Sequence, residues 1–239
     1  MSTYKLSDFN SEVDVRLMQP ASGAPLTSDE IDSLIQKTAA KIYSKHVPFK
    51  KTSNISADGT YLYLINASNF PGWIEGFSDI IKVEYPADQY QDPADANIPF
   101  EEFEIYEKNA LKYLRFLAAT PTSGYTIRPT YTIPHTIAAA AADTTIYDSD
   151  FGAVCDLAAC ICCRSIATKY GFFTDSTIGA DAVEYRSKSD VWAARAKNFW
   201  DQYMATMFPE ASAALAMREF DTVFSGNGLY ATRLTHTDR

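Results

Sequence analysis

The chain has 239 residues, 46% hydrophobic and 21% charged, with 30 acidic against 21 basic side chains and a formal net charge of −9. A chain of this length buries roughly 70–75% of its unfolded surface, so a core needs no covalent staples. The acidic balance argues against gripping a nucleic-acid duplex, which takes a concentrated basic face; the densest basic run, Lys45-His46 to Lys50-Lys51, is short.

Residues 1–16 include Asp8, Glu12 and Asp14 and no apolar block, so no secretory signal is expected. Phe9, Val13 and Leu17 instead recur every four residues, predicting a helix over about 7–18 that Pro20 stops. Thr27 and Glu30 then form a capping box, with Leu26 and Ile31 at the two positions of a hydrophobic staple. The second helix carries Ile31, Leu34, Ile35 and Ile42 on one stripe and ends before Pro48. From about 50 to 140 the period changes to two. Residues 61–65 are β-rich; Ile81, Val83 and Tyr85 face one way and Lys82 and Glu84 the other. Phe103 and Ile105 alternate with acidic neighbours, and Lys108-Asn109 supplies a turn before residues 111–117. Tyr125, Ile127, Tyr131 and Ile133 alternate with Thr126, Arg128, Thr130 and Thr132, and Pro129 among them implies an edge strand or a bulge.

Helical signals return after Asp148 and Asp150, candidate N-caps. Phe151, Val154, Leu157 and Ile161 make a stripe, and Ala, Cys and Ile fill most other faces, the pattern of a central buried helix. Its most apolar stretch, 153–163, is too short to span a membrane and contains Asp156. Residues 187–207 are amphipathic, with Trp192, Ala196, Phe199 and Tyr203 opposite Asp190, Lys197 and Asp201. In the tail, Phe220, Val223, Phe224, Leu229 and Tyr230 sit among Ser, Gly, Asn and Thr. That segment is too polar for its own core and too apolar for plain solvation, so those five residues are the expected partner interface. The expected fold is α+β, a bundle of about four helices with an inserted antiparallel β-module. Residues 1–49 and 141–208 supply the bundle, 50–140 the module and 209–239 an arm.

All four cysteines (Cys155, Cys160, Cys162 and Cys163) fall within nine residues, which is no framework of distant bridges. Cys160 and Cys163 have C-x-x-C spacing, but on a helix Cys162 and Cys163 point about 100° apart, which favours small buried thiols over zinc. His135 lacks any nucleophile motif nearby and reads as a strand-end histidine satisfied by a hydrogen bond rather than a general base. Asp175, Asp181 and Glu184 near Arg186 and Lys188 read as loop and capping charges rather than an acid–base cluster. The sequence holds no Gly-rich phosphate loop, H-E-x-x-H or G-x-S-x-G. Neither catalytic residues nor a cofactor nor a metal are expected.

Residues 175–203, DSTIGADAVEYRSKSDVWAARAKNFWDQY, resemble the C-terminal helical stretch of small proteins in the head–tail joining region of tailed bacteriophages. Val83-Glu84-Tyr85-Pro86, the run from Tyr131 to Thr136 and Thr145-Ile146 before the Ala/Cys-rich helix fit the same pattern, so the resemblance covers about 26–203. Tyr147 stands where Pro is expected, and the tail after Pro209 is longer than in that group. The resemblance implies a non-enzymatic virion protein assembled in the host cytoplasm. It implies a homo-oligomeric ring of about twelve copies beneath the portal protein, meeting stopper or tail proteins on its other face. DNA would pass through the middle with only transient contact, and no membrane is involved. The acid excess suits such a conduit, and it equally suits simple solubility. The reading from another class is a small-molecule or peptide-binding α+β protein, including an enzyme with an unrecognised site; a tail-completion protein one layer further out is the related structural one.

Overall fold

The computed structural model describes residues 2–18, 24–87, 102–118, 120–172 and 180–209, with side chains from Lys188 onward in the last stretch. The fold is α+β. Helix α1 (Leu6–Leu17) buries Phe9, Val13 and Leu17 on one stripe, and Met18 ends it in a left-handed cap (φ 51°, ψ 44°). The N–H of Met18 returns to the carbonyl of Asp14; Pro20, expected to stop the helix, lies outside the described residues.

Helix α2 (Ser28–Leu34) starts as its capping box dictates: the Thr27 hydroxyl accepts from the Glu30 N–H, and the Glu30 carboxylate accepts from the Thr27 N–H at 2.9 Å. The stapling pair Leu26 and Ile31 are both buried. A π-helical turn (Ile35–Ala39) then leads directly into α3 (Ala40–His46). The wider turn accommodates one extra residue, so the apolar stripe is displaced by about 100° beyond it. Ile31 and Ile35 are followed in the core by Ala39, Ala40 and Tyr43. Ile42, expected on the stripe, and Leu34 are only partly buried.

The β-module has its own core. Strand β7 (Thr126–Ile133) is central to one antiparallel sheet: β1 (Phe49–Thr52) and β2 (Ile55–Ser56) pair along one side and β4 (Ile80–Glu84) along the other. Pro129 therefore sits in a central strand and not at an edge, next to the irregularity in the β4–β7 ladder. Its carbonyl accepts from Ser53, so its missing N–H faces the same side, at the gap between β1 and β2 where the ladder is already broken. A register shift between Ile80 and Lys82 interrupts the alternation foreseen for β4: Ile80 and Val83 are buried, whereas Ile81 is turned outward. The second sheet runs β3 (Leu62–Leu64), β6 (Leu111–Phe116), β5 (Phe103–Lys108), all antiparallel. Its hairpin turns at Asn109-Ala110, both left-handed (φ 54° and 59°), one residue later than Lys108-Asn109. Tyr63, Leu114 and Phe116 from this sheet meet Ile127 and Tyr131 from the other, with Phe70 edge-on to Tyr131 at 5.2 Å.

Helix α4 (Phe151–Phe172) enters from a 3-10 turn, Asp148–Asp150, and is buried nearly all round by α1, the π turn and α5 (Ala180–Met207). Helix α5 begins seven residues before position 187. The segment Asp148–Phe172 is long and apolar enough to cross a membrane by length and composition, contrary to the narrower count over 153–163; here 61% of its most apolar window is buried inside the fold.

Candidate functional site

The four cysteines lie on α4 and all are buried, so they pack as small apolar groups. Burial pushes the thiols of Cys155 and Cys162 up to about 12 and that of Cys163 to about 11, which keeps them protonated at neutral pH. Among the described residues no three His, Cys, Asp or Glu side chains come together to hold a metal ion. Asp175 lies outside the described residues, as do the side chains of Asp181, Glu184 and Arg186. Lys188 is exposed on α5.

His135 stands at the seam between module and bundle, 4% exposed. Its N–H donates to the Ser44 hydroxyl at 2.8 Å, and that hydroxyl donates in turn to the Ala40 carbonyl at 2.5 Å. Its Nδ1 lies 2.9 Å from the Thr145 carbonyl, which can only accept, so Nδ1 carries the proton and Nε2 is a bare acceptor. Nε2 is buried and makes no well-formed hydrogen bond, while the backbone of Val47, like that of Thr145, opposes the effect of burial on the ring. The rings of Tyr43, Phe49 and Tyr147 surround the imidazole at 4.9, 5.4 and 5.4 Å. Burial lowers its pKa, so the ring is neutral. The hydrogen-bonded strand-end role expected of His135 is met at Nδ1 and unmet at Nε2. The Thr145 hydroxyl also lies 3.1 Å from Nδ1, and it accepts from the N–H of Thr136 at 2.8 Å.

Three partners of that seam escaped the sequence reading. The Tyr43 hydroxyl donates to Asp150 at 2.6 Å, which links α3 to the start of α4. The Tyr203 hydroxyl lies 2.6 Å from Nδ1 of His46, and Phe208 meets the same imidazole edge-on at 5.3 Å. Ser2 and Thr3 donate to Asp148. Only the Glu30 capping box had a local spacing that announced it; these contacts join positions more than a hundred apart.

The sheet β3-β6-β5 has one face on the module's core and one in solvent. By register the outer face carries Leu62, Leu64, Tyr106, Leu111 and Tyr113, with Arg115 paired to Glu104 at 2.8 Å. None of these five apolar side chains is buried, and Leu111 is 49% exposed. An antiparallel sheet with a solvent face ordinarily alternates apolar-in with polar-out; here five apolar side chains share the outer face with Glu104, Arg115 and Lys108. Phe220, Val223, Phe224, Leu229 and Tyr230 lie outside the described residues.

No family model matches the chain, and no curated protein is significantly similar to it.

Proposed function

We propose that the protein is a non-enzymatic virion component, a ring-forming adaptor between the portal and the tail of a tailed bacteriophage. The observation that carries this reading is the apolar outer face of the β3-β6-β5 sheet, set on a module whose core is separate from that of the helical bundle. An adaptor must touch different proteins through different parts, and a bundle bearing a β-module with its own exposed apolar face is built for that. Aromatic side chains such as Tyr106 and Tyr113 are enriched in protein contacts. The partner is a portal, stopper or tail protein, and DNA traverses the ring without being held. The test is electron microscopy of intact particles carrying a tagged copy. Density for the tag at the head–tail junction is the expected result. Particles that lack the protein, or a tag elsewhere, would sink the proposal, and a specific small-molecule ligand with turnover would favour the enzyme reading.

A further inference from the structure

Two unlike surfaces of the bundle match each other. The first is a groove along the outward side of the α4–α5 pair. Two adjoining cavities of about 470 and 370 Å3 share Ala167 and Thr168 in its floor. Ala193 and Ala196 complete the floor, and Arg164 on one helix and Lys197 on the other stand at its rims. Neither cation has an ion-pair partner among the described residues; Arg164 rests over the Trp200 ring at 5.6 Å. A floor of small residues between two helices admits a third helix.

The second surface is the outer stripe of α1. Opposite the buried Phe9, Val13 and Leu17, the residues Ser7, Ser11 and Val15 line one exposed face at helical spacing, and the exposed Met18 follows at the C-cap. Val15 is 66% exposed, and Met18 at the cap is 80% exposed. At 100° per residue, Asp14 flanks this stripe on one side and Glu12 on the other. Asp14 has no ion-pair partner among the described residues, while Glu12 pairs with Arg16. The stripe is thus a ridge of two serines and Val15, ending at Met18 and flanked by acids, and the groove a small-residue channel between bases.

A copy cannot fill its own groove this way. Arg195 reaches the carbonyls of Arg16 and Leu17 from one side of α5, and Ala193 and Lys197 lie about 160° around the helix from it. We infer that the occupant is a second copy of this chain: the Ser7-Ser11-Val15 face of α1, with Met18 at its end, seats in the α4–α5 groove of the next subunit, with Asp14 and Glu12 against the rim cations. A contact between unlike surfaces of identical chains is heterologous and closes into a ring when its rotation permits. The inference rests on the adaptor reading for its biological setting, and it names the subunit contact of that ring.

The test is site-directed cross-linking in the full chain, whose own thiols are all buried. The pair Ser11→Cys with Ala193→Cys is oxidised both in purified protein at high concentration and in assembled particles, with melting curves to confirm folding. A ladder of covalent multimers is expected, with neither single variant going beyond dimer. Arg164→Glu with Lys197→Glu should raise the concentration for half-assembly at least tenfold, and adding Asp14→Lys should reverse part of that. Protein that enters particles yet gives no ladder and ignores the charge reversal overturns this contact and leaves the adaptor reading standing. If the thiol introduced by Ala193→Cys becomes reactive only after truncation beyond Pro209, the chain's own arm is the occupant and the contact is overturned as well. Absence of the protein from particles overturns both.

Discussion

Ser44 accepts the N–H of His135 and donates to the carbonyl of Ala40, both inside the fold. Ser44→Ala leaves the N–H of His135 without that acceptor, and an unsatisfied buried donor costs about 1–3 kcal/mol. Urea unfolding should register the loss with an unchanged slope, since the exposed area on unfolding is the same. The imidazole of His135 makes a second, pH-dependent claim. Burial lowers its folded pKa below the ordinary 6.5, so as pH falls through that ordinary value the unfolded chain takes up a proton that the folded one refuses. Stability is full above the unfolded pKa and declines on acidification, by at most about 1.4 kcal/mol per pH unit, until the folded pKa is reached. His135→Gln removes this titration. Its urea midpoint should fall less between pH 7.5 and 5 than that of the wild type, and equal slopes would show that His135 titrates freely in the folded state.

At the level of elements, the π turn decides which side chains of α3 face the core. Tyr43 is fully buried and bonded to Asp150, whereas Ile42 is only partly buried. Tyr43→Ala should therefore cost about 3–5 kcal/mol, as other large aromatic truncations do, and Ile42→Ala distinctly less. Equal losses would mean that the helix keeps a regular phase. The hairpin β5-β6 places Ala110 in the left-handed region at φ 59°, a conformation that costs a side-chain-bearing residue roughly 1–2 kcal/mol. Ala110→Gly relieves this and loses some chain entropy, so a net gain of up to about 1 kcal/mol is expected in the unfolding midpoint. These elements also mark the limits of what the sequence discloses. The stripe of α1 and the box Thr27–Glu30 are legible because their physics is local, set by residues three or four apart. The π turn, the register shift after Ile80 and the place of Pro129 in a central strand depend on what each element packs against, which no periodicity carries. The seam around His135 was legible only as one hydrogen-bonded histidine, since Ser44, Thr145, Tyr43 and Asp150 reach it from other elements.

For the whole molecule, the decisive feature is that two cores share one seam. Tyr203 and Phe208 both meet His46 at the point where α3 gives way to β1, so the chain is held on the bundle to the last turn of α5. Everything beyond Pro209 leaves from that anchored point. Phe220, Val223, Phe224, Leu229 and Tyr230 then have enough apolar surface to contribute several kcal/mol on burial at ~25 cal/mol per Å2. Gly226 and Gly228 interrupt the segment, so a lone helix presenting those groups is disfavoured. Every buried core residue among the described residues lies before Pro209, so truncation there keeps all of them. The shortened protein should melt as the full chain does and yet fail to sediment with particles. A lower melting temperature would assign the arm to its own bundle, and normal incorporation would show that the arm makes no contact the assembly needs.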